Sequence, residues 1–264
     1  MNKILPALLL AAFALPAAAQ PPQFKTAQFQ AEYCPKPAAD PECSKFSISR
    51  PVFRDRQQTA FAEQLIRQMT ATDGLKTLTK AAALQKLKKQ VNESREGKEA
   101  YPRHEYFAEV APEGYTPHYL VLTGIDYIYG GGPHGLGRET RYIIPRSGKP
   151  VPLRLDDILL PGQKPAFAAL HRQALTDYYL AEGNRTREEI EEGFNNKRSS
   201  HYLTDEVLES SWSFDKNALS YAYNSYSFGG YTDTPAFKLP AAKLKGIVKP
   251  EILRELEAYR PLKN

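Results

Sequence analysis

Five histidines, at positions 104, 118, 134, 171 and 201, are the side chains of this chain best suited to moving a proton near neutrality. His104-Glu105 opens like the helix of a zinc protease, but Ala108 stands where the second imidazole is needed. Two imidazoles reach one metal from a helix only when one turn separates them, so the match fails. The other histidines are dispersed and could share a metal only through the tertiary fold. The chain has no Gly-x-Ser-x-Gly elbow and no glycine loop ending in Lys-Ser or Lys-Thr. No catalytic residue, metal ligand or cofactor is therefore assigned from these motifs.

What remains is a loop and a group of rings. In Tyr129-Gly130-Gly131-Gly132-Pro133-His134-Gly135 the glycines permit positive φ and close approach by another chain. His134 then has two readings. It is a ligand-binding residue or general base held on a tight turn, or it is part of a plain strand connection. Near the end lie Trp212, Phe214, Tyr221, Tyr223, Tyr226, Phe228 and Tyr231. Buried, they are sheet core; exposed, each couples a large apolar face to a polar tip and can stack on a sugar or grip a protein. Most are expected in the core, with one or two at the surface. The candidate binding set is Tyr129, Gly131, Gly132, His134, Gly135, Tyr226 and Tyr231. One rival is a hydrolase of envelope polymers, with His134 as base and Asp126 or Asp157 as its acidic partner, and a second is a purely structural envelope protein.

The elements that must position these residues are read from periodicity. Gln28 to Tyr33 and Phe46 to Phe53 read as strands, after a polar lead from Gln20 to Lys25. Phe61, Leu65, Ile66 and Met69 give one helical stripe, and Leu78, Ala81, Leu84, Leu87 and Val91 a second. Lys86, Lys88, Lys89 and Glu93 on the second helix read as a solvated face. From Tyr101 the period becomes two, with Tyr106, Ala108 and Val110 in alternation. Tyr119 to Ile128 is apolar on both sides, as in an interior strand. Strands are expected over Arg138 to Ile144, Trp212 to Phe214, Leu219 to Phe228 and Ala236 to Leu239, with Ser147-Gly148 turning the chain toward Val151 to Leu155. Helices are expected from Lys164 to Leu180, along Phe167, Leu170, Ala174 and Tyr178 with Leu175 and Tyr179 beside them, after a Thr186 to Glu189 capping box, and from Pro250. Grouped rather than alternating elements predict an α+β fold, a mixed or antiparallel sheet packed against several helices.

Residues 1–19 carry a positive start, an apolar run from Leu8 to Leu15 and Ala17-Ala18-Ala19, the pattern of a cleavable secretory signal. The run is too short to span a bilayer, which takes about 20 residues. The net charge is +5, and one lysine fewer after cleavage makes it +4. That mild excess suits an anionic envelope polymer and gives no nucleic-acid footprint. Cys34 and Cys43 are the two cysteines, and export makes a disulfide between them the expected state. The expected organisation is a signal over 1–19, a disulfide loop and helical half over 20–100, and an α+β region over 101–264.

The glycine loop and the segments after it resemble the RsiV-like extracytoplasmic domain family. Tyr127 to Gly135 is similar to that family's Gly-Gly-Ala-His-Gly loop, with Pro133 in place of the usual alanine. Thr140 to Ile144, Gly148-Lys149 and Leu155-Asp156-Asp157-Ile158-Leu159 look like its next strand, turn and Leu-x-Asp-Leu stretch. Trp212-Ser213-Phe214, Leu219 to Tyr226, Gly229-Gly230 and Phe237-Lys238-Leu239-Pro240 look like its closing segments. The resemblance covers about Tyr101 to Leu253. The family includes a lysozyme-binding anti-sigma factor and the N-terminal region of a peptidoglycan deacetylase. It implies a soluble envelope-facing recognition domain in the periplasm or outside the cell, with lysozyme or a peptidoglycan fragment as partner. A basic lysozyme would need an acidic patch here, for which Asp156, Asp157 and Glu188-Glu189-Glu191-Glu192 are the candidates.

Overall fold

The computed structural model describes residues 20–34, 43–71, 75, 77–96, 103–130 and 134–262. The signal over 1–19, Gly131 and Gly132 lie outside the described residues. The architecture is α+β, built on two sheets. The larger sheet contains β1 (Phe24–Tyr33), β2 (Ser44–Phe53), β3 (Glu105–Tyr115), β4 (Tyr119–Tyr129) and β5 (Leu136–Pro145) in that spatial order. All neighbours are antiparallel except β2 and β3, which run parallel. A parallel pair needs a crossover. α1 (Arg56–Ala71) and α2 (Lys80–Glu96) supply it. The strands on either side of residue 100 thus share one sheet. β9 (Arg260–Pro261) adds a short rung to β3.

Cys34 and Cys43 are joined by a disulfide that closes the β1–β2 loop, with their Cα atoms 4.3 Å apart. The ring spans 9 residues in sequence, so its stabilisation is about 2–3 kcal/mol and local. Glu32 stands beside both sulfurs, but each sulfur is already bonded to the other.

The two-sided apolarity of β4 has a direct structural reason. Leu120 and Leu122 point into a core under α1 and α2, together with Phe46, Leu65, Leu87 and Ile144. Val121 and its neighbour Ile143 point into a second core on the opposite face. That second core is built by α3 (Leu155–Ile158), α4 (Lys164–Glu182), α5 (Arg187–Asn195), α6 (Asp205–Glu209), α7 (Ala241–Leu244) and α8 (Pro250–Ala258). They surround a three-stranded sheet of β6 (Trp212–Asp215), β7 (Ala218–Ala222) and β8 (Ala236–Pro240). Burial of apolar side chains on both faces of one strand couples the two cores through β4 and β5. Glu255 of α8 fixes the join from the far end. Its carboxylate accepts from the Thr116 hydroxyl and from the His118 backbone N–H, and His118 Nδ1 lies 2.6 Å from it.

Several expectations are corrected. Strand β1 begins at Phe24, so only Gln20–Gln23 form the polar lead. Val151 to Arg154, toward which Ser147-Gly148 turns the chain, lies outside strands and helices, with the Leu153 N–H donating to the Ile143 carbonyl, and Leu155 opens helix α3. On α2 Ala81 is exposed, and the buried stripe is Ala83, Leu87 and Val91, a strict four-residue step. Lys86 is not a solvated side chain; its ammonium sits 4.8 Å from the Tyr106 ring centre. On α4 the buried residues are Phe167, His171, Leu175, Thr176 and Tyr179, so Leu175 and Tyr179, expected beside the stripe, lie at its centre, and Leu170, Ala174 and Tyr178 are only partly buried. The Thr186–Glu189 capping box forms as expected.

Glycine at 114 is required by space. A Cβ there would meet the Tyr259 hydroxyl at 2.2 Å and the ring behind it. Tyr259 is 3% exposed and its backbone leads into β9, so the ring cannot simply swing away. Gly114→Ala should lower unfolding free energy by about 1–3 kcal/mol, the usual cost of overpacking, read as a lower urea midpoint with unchanged slope.

Candidate functional site

The strand expected to run from Leu219 to Phe228 stops at Ala222. Residues 223–235 instead leave the sheet as a closed loop before β8 resumes at Ala236. The Tyr223 N–H donates to the Pro235 carbonyl at 3.0 Å and shuts its base. Inside it, the Tyr226 N–H donates to the Gly230 carbonyl at 3.2 Å and the Ser227 N–H to the Asn224 carbonyl at 3.0 Å. Tyr221, Tyr223 and Phe228 are buried, and so are Trp212 and Phe214. Tyr226 and Tyr231 are exposed, at 57% and 41%.

The loop brings those two rings to His134. The exposed His134 imidazole stacks on Tyr231, with centroids 4.3 Å apart and planes 24° from parallel. Tyr231 in turn lies 5.6 Å from Tyr226. Three candidates from two distant parts of the chain thus form one exposed ring cluster. Tyr129 is half-buried at the end of β4, on the strand that leads into the glycine loop. Gly135 has a spatial role. A Cβ there would lie 2.4 Å from the Tyr127 ring, which packs across the chain just after His134.

Tyr226 has φ of +62°, in the left-handed region. For a bulky non-glycine residue this conformation costs about 1–2 kcal/mol. An exposed ring gains little from burial to offset it. Strain of this kind at an exposed side chain points to a role outside folding.

Two anchors hold the loop. The first is Asn224, whose side-chain amide pairs with both peptide groups of Glu139 on β5. Its Oδ1 accepts from the Glu139 N–H, and its Nδ2 donates to the Glu139 carbonyl, each at 2.7 Å. A side chain thereby completes one rung of an edge strand. The second anchor is Asp233. One carboxylate oxygen accepts from the Tyr179 hydroxyl at 2.8 Å; the other accepts from His201 Nε2–H at 2.5 Å and from Arg185 at 3.3 Å. His201 Nε2 also lies 3.0 Å from an Arg185 nitrogen. His201 Nε2 cannot donate to the carboxylate and accept from a guanidinium together, so the Asp233 bond fixes the tautomer. Arg185 further covers the Tyr179 ring at 4.8 Å. Burial first, then the Asp233 hydrogen bond and charge, raise the Tyr179 phenol well above its ordinary value. Gly229, with φ of +107°, is needed beside this anchor. A Cβ there would meet Asp233 at 2.5 Å.

Sequence reasoning missed this cluster. Residues 179, 185, 201 and 233 share no spacing, and only the fold of the 223–235 loop over α4 and α5 unites them.

The hydrolase arrangement does not assemble. Among the described residues no carboxylate lies within hydrogen-bond reach of His134, whose polar contact is the Gly135 carbonyl at 3.4 Å. Asp126 is bound by Arg138, at 2.7 Å and 3.0 Å. Asp157 accepts from the Arg154 N–H at the start of α3. The acidic run is also engaged in part: Glu189 closes its capping box and Glu191 pairs with Arg172.

A buried histidine lies below the loop. His171 is fully inaccessible, and its Nε2–H donates to the Tyr223 hydroxyl at 2.7 Å, which donates onward to the Val207 carbonyl at 3.0 Å. Burial pushes its pKa down from 6.5 to about 3. The unfolded chain therefore binds a proton that the folded chain refuses. The resulting stability is fully present above about pH 6.5 and is lost as pH falls toward 3. The expected loss over that whole interval is about 5 kcal/mol. Urea titrations at pH 7 and pH 4 should show a smaller acid loss for His171→Phe than for wild type.

No protein-family model matches the chain, and no curated protein matches it. Crystal structures similar in fold include two DUF3298 family proteins. One is a DUF3298 family protein from Pseudomonas aeruginosa PAO1, with TM-score 0.62 and 22% identity, covering 87% of this chain and 96% of that one. The other is a DUF3298 family member from Bacteroides fragilis NCTC 9343, with TM-score 0.63 and 17% identity, covering 89% of this chain and 98% of that one. Identities this low establish a shared fold, here along nearly the whole of both neighbours: the chain has the architecture of a DUF3298 domain, a domain of unknown function.

Proposed function

We propose that this chain is an exported binding protein of the bacterial cell envelope whose exposed ring cluster takes a peptidoglycan fragment. The observation that carries the reading is the strained, outward Tyr226 in line with Tyr231 and His134. Rings held outward by a hydrogen-bonded loop are already ordered, so stacking a sugar face on them costs little conformational entropy.

Export is supported by the signal pattern over 1–19 and by the disulfide. None of the described helices is long and apolar enough to cross a membrane. The mild positive charge favours an acidic wall fragment over a basic lysozyme, which it would repel. The RsiV-like resemblance of the loop points to the same surroundings.

The test is calorimetric titration of the protein lacking residues 1–19 with soluble muropeptides and, separately, with lysozyme. Heat of binding with muropeptides that disappears in Tyr231→Ala supports the proposal. Binding to lysozyme alone would replace the ligand class, and no heat with either would end the reading.

A further inference from the structure

Removal of residues 1–19 makes Gln20 the first residue of the chain, with Pro21 and Pro22 behind it. A chain end ordinarily frays. This one is held. The Arg146 guanidinium donates to the Gln20 carbonyl at 2.6 Å and, through its other terminal nitrogen, to the Thr116 carbonyl at 2.9 Å. Arg146 is itself fixed. Its N–H donates to the His118 carbonyl at 2.8 Å, its carbonyl accepts from Gln58 Nε2 at 2.9 Å, and its guanidinium lies 5.3 Å from the Tyr115 ring centre. The two prolines stiffen the link to β1, because a residue before proline is confined to extended backbone.

These contacts set the surroundings of the new α-amine. It belongs to the residue whose carbonyl Arg146 holds, and Arg54 lines the same cleft of about 270 Å³. Asp55 also lines that cleft, but its carboxylate accepts from the Gln57 and Gln58 N–H groups at the start of α1. Neighbouring positive charge disfavours an ammonium and favours the neutral amine, which is the nucleophile. Gln20 is exposed, so packing does not hold its side chain away from its own backbone. The α-nitrogen and the Cδ of one glutamine close a five-membered ring.

We propose that Gln20 is a modification site, at which the freed α-amine attacks the Cδ of its own side-chain amide and leaves the chain capped by pyroglutamate. The N–Cδ bond forms and the Cδ–Nε2 bond breaks. The side-chain nitrogen departs as ammonia, carrying the proton that the amine loses. The reaction is intramolecular and needs no oxidant, cofactor or second substrate. The capped end has no charge to oppose Arg146 and presents no amine to an aminopeptidase. This rests on the export reading given above and adds what becomes of the new chain end.

The experiment expresses the full chain, residues 1–19 included, in a bacterium and measures the mass of the exported protein and of its first tryptic peptide, Gln20 to Lys25. Both should be lighter by one ammonia than the unmodified sequence. A second measurement follows intact mass on folded protein freshly released at Gln20 from a fusion by a site-specific protease. Ring closure should be faster there than in the synthetic peptide of residues 20–25. Arg146→Ala should slow it about fivefold, the weight of one like charge about 4 Å away in water. Arg146→Lys keeps the charge and should keep most of the rate. Unmodified Gln20 on the exported protein, or equal rates in the folded chain and the peptide, would overturn the proposal and leave export standing. A chain that still carries residues 1–19 would overturn both.

Discussion

Asp233→Ala should detach the 223–235 loop and cost the protein both stability and ligand. The carboxylate accepts from Tyr179, His201 and Arg185 together. Removing it leaves a half-buried cation and two polar groups without their acceptor. Desolvated groups left unpaired cost more than the bond was worth, and the expected loss is about 2 kcal/mol after allowing for the part-exposed Arg185. Muropeptide affinity should fall at least tenfold, because Tyr226 and Tyr231 lie on the segment that Asp233 ties down. Asp233→Asn keeps an acceptor for Tyr179 and should lose less of each. The check is a urea midpoint and a dissociation constant measured on the same preparations. A folded Asp233→Ala protein with wild-type affinity would show that the anchor does not hold the rings.

The second large effect separates binding from folding. Tyr226→Gly removes an exposed ring and gives the left-handed position the residue that adopts it without a steric penalty. Stability should stay within about 1 kcal/mol of wild type. Affinity should drop about tenfold, the combined value of a stacking contact and its buried area. Tyr231→Ala should do at least as much, since Tyr231 touches both other rings. Equal affinity in Tyr226→Gly and wild type would mean that the strained tyrosine has no part in recognition.

The sequence reveals the scaffold more readily than the site, for identifiable reasons. Strand β4 is legible because each of its two faces meets a core, so apolar residues fill both phases of the alternation. The α4 stripe is displaced because His171 looks polar in sequence, whereas in the fold it is a buried ring with one bonded nitrogen. The run from Leu219 to Phe228 imitates one long strand because Tyr223 and Phe228 are core residues of a loop. His134, Tyr226 and Tyr231 can be singled out by residue type, but their meeting depends on Asn224 and Asp233, whose partners lie 85 and 32–54 residues away in the chain. Local patterns carry no trace of such pairings.

The central claim is that three outward rings form the surface where a wall fragment lands. The most direct measurement is the aromatic proton spectrum of the protein lacking residues 1–19 during titration with a purified muropeptide. Signals of His134, Tyr226 and Tyr231 should move together and saturate at one concentration, while those of the buried His171 and Tyr221 stay fixed. Saturable binding that leaves all three ring signals unmoved would contradict the account.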